Sequence, residues 1–124
     1  MSRWEKEFSF ETGAVYRFNF SKEPYAETDK FIIFGYPICE DLHGAIANNL
    51  YNDIDGIYFI IKIHKNSLSI ISDIFAGYRV YSYREEKVFN YFDELSLVKK
   101  MFDNKLNQNK ELNLYFSNHK YYPS

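Results

Sequence analysis

Alternating hydrophobic and polar residues near the start of the chain predict a β-hairpin. Two runs rich in aromatic and β-branched residues occupy positions 7–20, and a polar segment that contains Gly13 separates them. Such runs favour strands, and a short polar segment with glycine favours a tight turn. Residues 21–30 are polar, contain Pro24 and lack periodicity, so they predict a loop.

Further hydrophobic runs predict a sheet in the middle of the chain. Residues 30–35 predict a buried strand that Pro37 ends. Residues 57–64 predict a central strand with one strongly apolar side, and residues 67–73 predict its partner after a short turn. Residues 78–84 predict a third strand, which would complete an antiparallel meander.

Two stretches have the spacing of a helix with one apolar face. The first begins at Asp41, and its apolar positions are Leu42, Ile46, Leu50 and Ile54. The second begins near Asp93, which can cap it, and its apolar positions are Tyr91, Leu95, Val98, Phe102 and Leu106. We expect the second helix to pack on the sheet. A last helix is predicted to begin at Glu111 and to end before Pro123.

The length and composition predict one domain that spans residues 1–124, and the strands and helices predicted above make it an α+β domain. The chain has 124 residues, of which 46% are hydrophobic, and it contains 12 Phe and 12 Tyr. A chain of this size can bury a continuous core without disulfides or metals. The aromatic residues are interpreted as core residues of the sheet.

Charge and cysteine content exclude several classes of function. Lys and Arg total 15 against 17 Asp and Glu, and no stretch gathers the basic residues on one face, so no nucleic-acid partner is predicted. Cys39 is the single cysteine, which is typical of a reducing compartment, and we expect a cytoplasmic protein in which Cys39 is a small core residue. No apolar run has the length of a signal peptide or a membrane span, so no membrane partner is predicted.

No motif in the chain predicts a metal or a cofactor. The three histidines, His43, His64 and His119, do not have the spacing of a short metal-binding motif. The glycines form no phosphate-binding cluster, and no GxxxxGK[ST] sequence occurs. We therefore expect no metal, no bound cofactor and no nucleotide site.

The segment from Ile54 to Tyr83 contains two ordered motifs. Ile54, Asp55, Gly56 and Tyr58 match a Leu-Asp-Gly-x-Phe strand, and Asp73, Val80 and Tyr81 match an Asp-x-x-Gly-x-x-Pro-Leu-Tyr-Tyr segment, with Ala76 and Arg79 in place of its glycine and proline. These motifs resemble the class II glutamine amidotransferase domain at the amino terminus of asparagine-synthetase-like enzymes. Gly35 falls at the glycine of the family's Asn-Gly pair.

Two later segments extend this resemblance in the same order. Residues 93–98, with Glu94, are similar to the family's Ser-Glu-Ile/Leu helix start, and residues 107–124 resemble the connection to a following synthetase domain. The resemblance implies an abbreviated sandwich of antiparallel sheets with flanking helices, of the amino-terminal-nucleophile (Ntn) hydrolase type. It gives structural roles to Gly35, Asp55, Gly56, Tyr58, Asp73, Tyr81 and Glu94.

The residues that glutamine hydrolysis needs in this family are absent from the matching positions. Ser2 stands where the family has its amino-terminal cysteine nucleophile. Phe34 stands where an asparagine side chain would stabilise the oxyanion, and a phenyl ring has no hydrogen-bond donor. The segments that hold the substrate glutamine have no clear counterpart. We expect no glutaminase activity from this chain alone, and Ser2 as a nucleophile is a weaker third hypothesis.

The resemblance implies a pseudoenzyme domain that supports an ATP-dependent amide-forming enzyme of biosynthesis, acting in cis or in trans. An alternative is a free-standing binding or regulatory protein, such as an inhibitor or an immunity-type module, with Tyr78, Tyr121 and Tyr122 as contact residues. The sequence leaves open whether the chain forms a homodimer.

Overall fold

The computed structural model describes residues 3–73, 75–106 and 114–115. They form an α+β fold with about 47% strand in two antiparallel-rich sheets and with two short helices, which confirms the predicted class. The described residues fall into two compact units. The first contains residues 3–23, 65–67, 79–106 and 114–115, and the second contains residues 24–64, 68–73 and 75–78.

The elements of the described residues follow one another in this order: β1 (Trp4–Ser9), β2 (Val15–Phe20), β3 (Ala26–Glu27), β4 (Phe31–Ile38), α1 (Leu42–Ala47), a 3-10 turn (Tyr51–Asp53), β5 (Asp55–Ile63), β6 (Leu68–Ser72), β7 (Tyr81–Glu85), β8 (Val88–Phe92), α2 (Leu95–Leu106) and β9 (Leu114–Tyr115). The sheet of the first unit has the order β1-β2-β8-β7-β9, and the sheet of the second has the order β3-β4-β5-β6.

Aromatic side chains dominate the first unit. The predicted hairpin is confirmed, because β1 and β2 pair antiparallel with Trp4 opposite Phe20. β2 also pairs in parallel with β8. This pairing stacks the ring of Phe18 on that of Tyr91 at a centroid distance of 4.9 Å. Stacked and edge-to-face rings at such distances add to the free energy of burial.

Aliphatic side chains dominate the second unit, in which all strand pairs are antiparallel. One cluster of buried residues packs α1 and the 3-10 turn against the sheet: Phe31, Ile33, Ala45, Ile46, Tyr51, Ile54, Tyr58, Ile60 and Ile71. The helix begins as predicted, since the carboxylate of Asp41 accepts a hydrogen bond from the Gly44 N–H.

Helix α1 is shorter than the sequence predicts. The spacing of apolar residues predicts helix as far as Ile54, but α1 ends at Ala47, and Asn49 has a left-handed φ of 59°. The ammonium group of Lys62 binds the Ile46 carbonyl oxygen at 2.9 Å and Asn49 Oδ1 at 2.7 Å. This side chain, which comes from β5, satisfies a carbonyl at the end of the helix.

The prediction that Pro37 ends its strand is wrong, since β4 continues to Ile38 with Pro37 opposite Gly56. The backbone of Tyr58 bonds to Asp73, away from β4, so Gly35 and Tyr58 are a non-hydrogen-bonded pair. By the two-residue alternation, the nitrogen of Pro37 also faces away from β5. A proline at such an outward position costs no ladder hydrogen bond.

The predicted meander is also wrong beyond its second strand. β7 pairs with β8 and β9 in the sheet of the first unit and does not pair with β6. β8 itself is absent from the prediction, which assigns Tyr91 to a helix. The turn between β7 and β8 contains Glu86 at a left-handed φ of 56°, without the glycine or asparagine that marks such turns in a sequence.

Helix α2 begins at Leu95, close to its predicted start. Asp93 does not have the predicted capping role, because its carboxylate accepts hydrogen bonds from the backbone N–H of Ser21 and from the Ser21 hydroxyl. Val98 is buried as predicted, whereas Leu95 is 54% exposed. The side chains of Phe102 and Leu106 lie outside the described part of the chain. The predicted last helix is wrong at Leu114 and Tyr115, which form β9 and pair with β7, and the rest of that segment lies outside the described residues.

Candidate functional site

Asp73 is the centre of the candidate site in the second unit. This residue follows β6 and is only 3% exposed. Its Oδ1 accepts hydrogen bonds from the N–H groups of Tyr58 at 3.1 Å and Gly77 at 3.2 Å, and its Oδ2 accepts from Gly77 at 3.0 Å. The Asp73 N–H in turn donates to the Tyr58 carbonyl at 3.2 Å. A buried carboxylate with these donors fixes the loop after β6 to β5.

The loop itself is a tight turn closed by Ala76. The Ala76 N–H donates to the Asp73 carbonyl at 2.8 Å, and Ala76 has a left-handed φ of 50°. Glycine adopts such a φ more easily than alanine. Gly77 follows directly, and a Cβ at Gly77 would lie 3.0 Å from Cγ1 of Ile57. The turn therefore packs its backbone on the side chain of Ile57.

Two glycines allow a close approach of β4 and β5. Gly35 has a φ of 102° and Gly56 has a φ of 94°. A Cβ at Gly35 would lie 2.3 Å from the Ile57 carbonyl oxygen, and a Cβ at Gly56 would lie 2.2 Å from the Tyr36 carbonyl oxygen. Both distances are too short for any side chain, so only glycine fits these two positions.

Four of the residues given structural roles by sequence line one small cavity, namely Asp55, Gly56, Tyr58 and Asp73. The cavity also touches Tyr51, Asn52, Ile54 and Phe75, and its volume is about 110 Å³. Pockets that hold small-molecule ligands measure roughly 300–1,000 Å³, so this cavity has room for water and not for a substrate. The cavity lies where the 3-10 turn, β5 and the loop after β6 meet.

The remaining site residues from the sequence lie elsewhere. Gly35 is opposite Tyr58 in the β4–β5 pair. Tyr81 and Glu94 belong to the first unit, where Tyr81 is opposite Phe92 and Glu94 is exposed just before α2. Ser2 lies outside the described residues, as does the segment 107–124 apart from β9.

Phe34 is fully buried in the second unit. Its ring lies 6.1 Å from that of Tyr78, which also stacks on Phe59 at 6.4 Å. The position that carries the oxyanion donor in the family therefore holds a core side chain here. Tyr78 is half-buried by the same contacts, so only part of its side chain is exposed, and its role as a contact residue stays a prediction.

An open groove borders α1 in the second unit and has a volume of about 690 Å³. Exposed carboxylates on its lining belong to Glu40, Asp41, Asp53 and Asp55, and exposed apolar side chains on it belong to Ile38 and Leu50. Cys39 is half-buried beside the α1 core, in agreement with its predicted role as a small core residue. The sequence analysis missed this groove, because its carboxylates come from two separate stretches of the chain, residues 40–41 and 53–55.

The first unit has a groove of its own, with a volume of about 770 Å³. Basic side chains on its lining belong to Arg3, Lys6, Arg17 and Lys100, and acidic ones belong to Glu5 and Glu7. Arg17 Nε is 2.7 Å from Glu7 Oε1, and Arg3 donates to Asn19. The charges of both signs are interspersed, so this surface has no consistent field that would select an anion.

The histidines of the described residues have ordinary partners. His43 makes an edge contact with the ring of Phe31, and His64 Nε2 is 2.8 Å from Ser69 Oγ. His119 lies outside the described part. Within the part of the chain that the structure describes, no three His, Cys, Asp or Glu side chains are grouped closely enough to hold a metal. The same residues contain no helix that is long and apolar enough to cross a membrane.

Comparisons with protein-family models, with curated proteins and with solved structures give no match to this chain.

Proposed function

We propose that this chain is a degenerate class II glutamine amidotransferase-like domain, with an abbreviated Ntn-hydrolase-type sandwich fold and no glutaminase chemistry. In this proposal it supports, in the cytoplasm, an asparagine-synthetase-like enzyme that activates a carboxylate with ATP and forms an amide. The chain acts in cis or in trans to shape the enzyme's interface or to help hold its substrate. No residue of the chain is then required to be catalytic.

One observation carries the proposal: the residues of the two matched motifs meet in space. Asp73, from the second motif, bonds through its carboxylate to the backbone of Tyr58, from the first. Ala76 stands where the family has glycine, and its left-handed φ is the kind of backbone for which glycine is favoured. The matched positions at Tyr58, Asp73 and Ala76 are thus positions with physical constraints in this chain.

The burial of Phe34 supports the proposal that this chain has no glutaminase activity. A glutaminase must present a hydrogen-bond donor to the oxyanion of its tetrahedral intermediate, and removing one such donor costs on the order of 10² to 10³ in rate. Phe34 has no donor and packs against Tyr78 in the core. Its ring would have to leave the core before the position could face any substrate.

The proposal is tested with the purified chain and the asparagine-synthetase-like protein of the same genome. We expect the two to co-elute in size-exclusion chromatography, and we expect the chain to increase the rate of pyrophosphate release by the synthetase. Glutamine supplied to the chain alone should yield no ammonia above the blank. Separate elution with an unchanged rate of pyrophosphate release would contradict the supporting role. Ammonia release would contradict the absence of glutaminase activity.

A free-standing binding or regulatory protein is the second candidate function. The observation that favours it is the exposure of large apolar side chains in the second unit, above all Phe75, which is 85% exposed. Of the contact residues that the sequence suggests, Tyr78 is half-buried, and Tyr121 and Tyr122 lie outside the described residues. Affinity purification from the source cell separates the two candidates, because one predicts a synthetase and the other an unrelated target.

A further inference from the structure

An exposed apolar patch lies at one end of the sheet of the second unit. It consists of Tyr36, Ile38 and Ile57, which are 74%, 67% and 45% exposed. Tyr36 and Ile57 are opposite each other on β4 and β5, and Ile38 follows on the same face. Apolar side chains gathered in this way mark interaction sites, whereas single ones do not.

The patch is held in place by the structure beneath it. The Asp73 carboxylate ties the loop after β6 to β5, Gly77 of that loop packs on the side chain of Ile57, and Gly35 and Gly56 keep β4 and β5 in close register. A preformed surface loses little conformational entropy when it binds, so more of the contact energy remains as affinity.

Carboxylates border the patch on the side of α1. Asp55 is directly opposite Ile38, and the adjoining groove adds Glu40, Asp41 and Asp53. No Lys or Arg is among the described residues that line this groove. Charge complementarity therefore favours a partner with cationic side chains next to its apolar ones. It disfavours a second copy of this surface, which would bring carboxylates against carboxylates.

The free edge of β4 argues against recognition by strand addition. Beyond Ile33, where β3 stops pairing, the outward positions of β4 are Gly35 and Pro37. Pro37 has no N–H, so an added strand would find one donor only, at Gly35. Strand addition at this edge would gain few hydrogen bonds, so we expect side-chain contacts to provide most of the binding at this surface.

We propose that this acidic-edged apolar patch binds a segment of a partner protein in which apolar side chains are flanked by lysine or arginine. The inference goes beyond the proposed function, because it depends only on the surface of the second unit and not on a synthetase being the partner. The results of the glutamine-hydrolysis and pyrophosphate-release assays can contradict the proposed function without affecting this inference.

The test uses the full chain and two synthetic amphipathic peptides of identical pattern, one of leucine and lysine and one of leucine and glutamate. Each peptide is labelled with a fluorophore, and binding is measured by fluorescence anisotropy. We expect the lysine peptide to bind and added salt to weaken it, because the carboxylates provide part of the attraction. Equal binding of the two peptides, or no binding of the lysine peptide, would overturn the proposal.

Matched variants locate the binding. Ile38→Ser and Tyr36→Ser remove exposed side chains of the patch and should each weaken binding of the lysine peptide on the order of tenfold. Asp55→Asn should reduce the salt dependence. Leu95→Ser removes a side chain of similar exposure, 54%, from the first unit and should change nothing.

Two outcomes of these variants count against the proposal. If Ile38→Ser and Tyr36→Ser bind the lysine peptide as tightly as the parent chain does, the patch is not the site. If light scattering shows a dimer that Tyr36→Ser dissociates, the occupant is a second copy of the chain and the cationic partner is wrong.

Discussion

The two sheets of this protein bury their side chains in different ways. In the second unit, successive residues such as Ile32 and Ile33 on β4 and Ile60 and Ile61 on β5 are fully buried, so both faces of these strands are covered. In the first unit, β2 alternates, with Phe18 and Phe20 buried and Arg17 exposed. Continuous apolar runs indicate strands that are buried on both faces, and alternating runs indicate strands with one solvent-exposed face.

The pairing of the strands differs as well. The second unit joins β4, β5 and β6 in the order of the chain, and each pair is antiparallel. The first unit joins β2 to β8 in parallel, across most of the length of the chain. Contacts of this long range cost more loop entropy before they form. They are compensated by large aromatic contacts, such as the stacking of Tyr16 on Phe89 at 4.8 Å.

The largest predicted effect breaks the aromatic core of the first unit. Phe18→Ala removes a ring that stacks on Tyr91 and makes edge contacts with Phe8 and Phe20. We expect a loss of about 3 to 5 kcal/mol in the free energy of unfolding, measured with urea. The half-buried Tyr16 provides the control, since Tyr16→Ala should cost about 1 to 2 kcal/mol. Equal losses would show that the stacked pair at Phe18 has no special weight.

The second effect concerns the aliphatic core of the other unit. Ile60→Ala leaves a cavity in the cluster between α1 and the sheet, and it should cost about 2 to 5 kcal/mol in the free energy of unfolding. Ile57, three residues earlier on the same strand, is 45% exposed, and Ile57→Ala should cost less than about 1 kcal/mol. The two variants are compared by thermal and urea unfolding. A similar cost for both would mean that Ile57 is covered in solution.

A third comparison uses one aspartate from each unit. Asp73→Ala leaves the buried N–H of Tyr58 and the part-buried N–H of Gly77 without their acceptor, and it should cost about 1 to 3 kcal/mol. Asp93→Ala removes the acceptor of the Ser21 hydrogen bonds in a half-buried place, where water can replace it, and it should cost about 1 kcal/mol. Amide hydrogen exchange should show faster exchange at Tyr58 in the first variant. Unchanged exchange there would contradict the role given to Asp73.

The local part of this fold could be predicted from the sequence, and the long-range part could not. The β1–β2 hairpin and the β5–β6 pair follow from periodicity, because their strands are neighbours in the chain. The sheet that β7 joins does not follow from periodicity, because the apolar residues of β7 suit either sheet. Two residues that turn the chain, Ala76 and Glu86, have left-handed φ values although neither is a usual turn residue.

The candidate site shows the same division. Asp55, Gly56, Tyr58 and Asp73 could be selected from their motifs, and the hairpin of β5 and β6 brings them together. The apolar patch could not be selected, because Tyr36 and Ile38 continue the apolar run of β4 in the sequence. Only the structure distinguishes their exposed end of the strand from the buried residues before it.

Two buried tyrosines of the first unit, Tyr83 and Tyr91, should affect the free energy of unfolding least at neutral pH and more in alkali. Burial, then the hydrogen bond to Glu85 and the charge of Glu85, raise the pKa of Tyr83 from 10.0 to about 12. Burial, then the charge of Tyr16, also raises the pKa of Tyr91. Between pH 10 and pH 12 the unfolded chain releases these protons while the folded chain keeps them. The contribution of these two tyrosines to the free energy of unfolding should therefore be constant below pH 10 and should fall above it.

Tyr83→Phe isolates one part of this dependence. The variant loses the hydrogen bond to Glu85, which should cost about 1 kcal/mol at neutral pH. Its free energy of unfolding should then fall less steeply above pH 10 than that of the parent chain, because one proton that the fold retains is gone. Tyr91→Phe should reduce the slope in the same way, and both slopes are measured by urea unfolding at a series of pH values. If neither variant changes the slope, the alkaline loss of stability arises outside the aromatic unit, and the contrast between the two units does not extend to their titration.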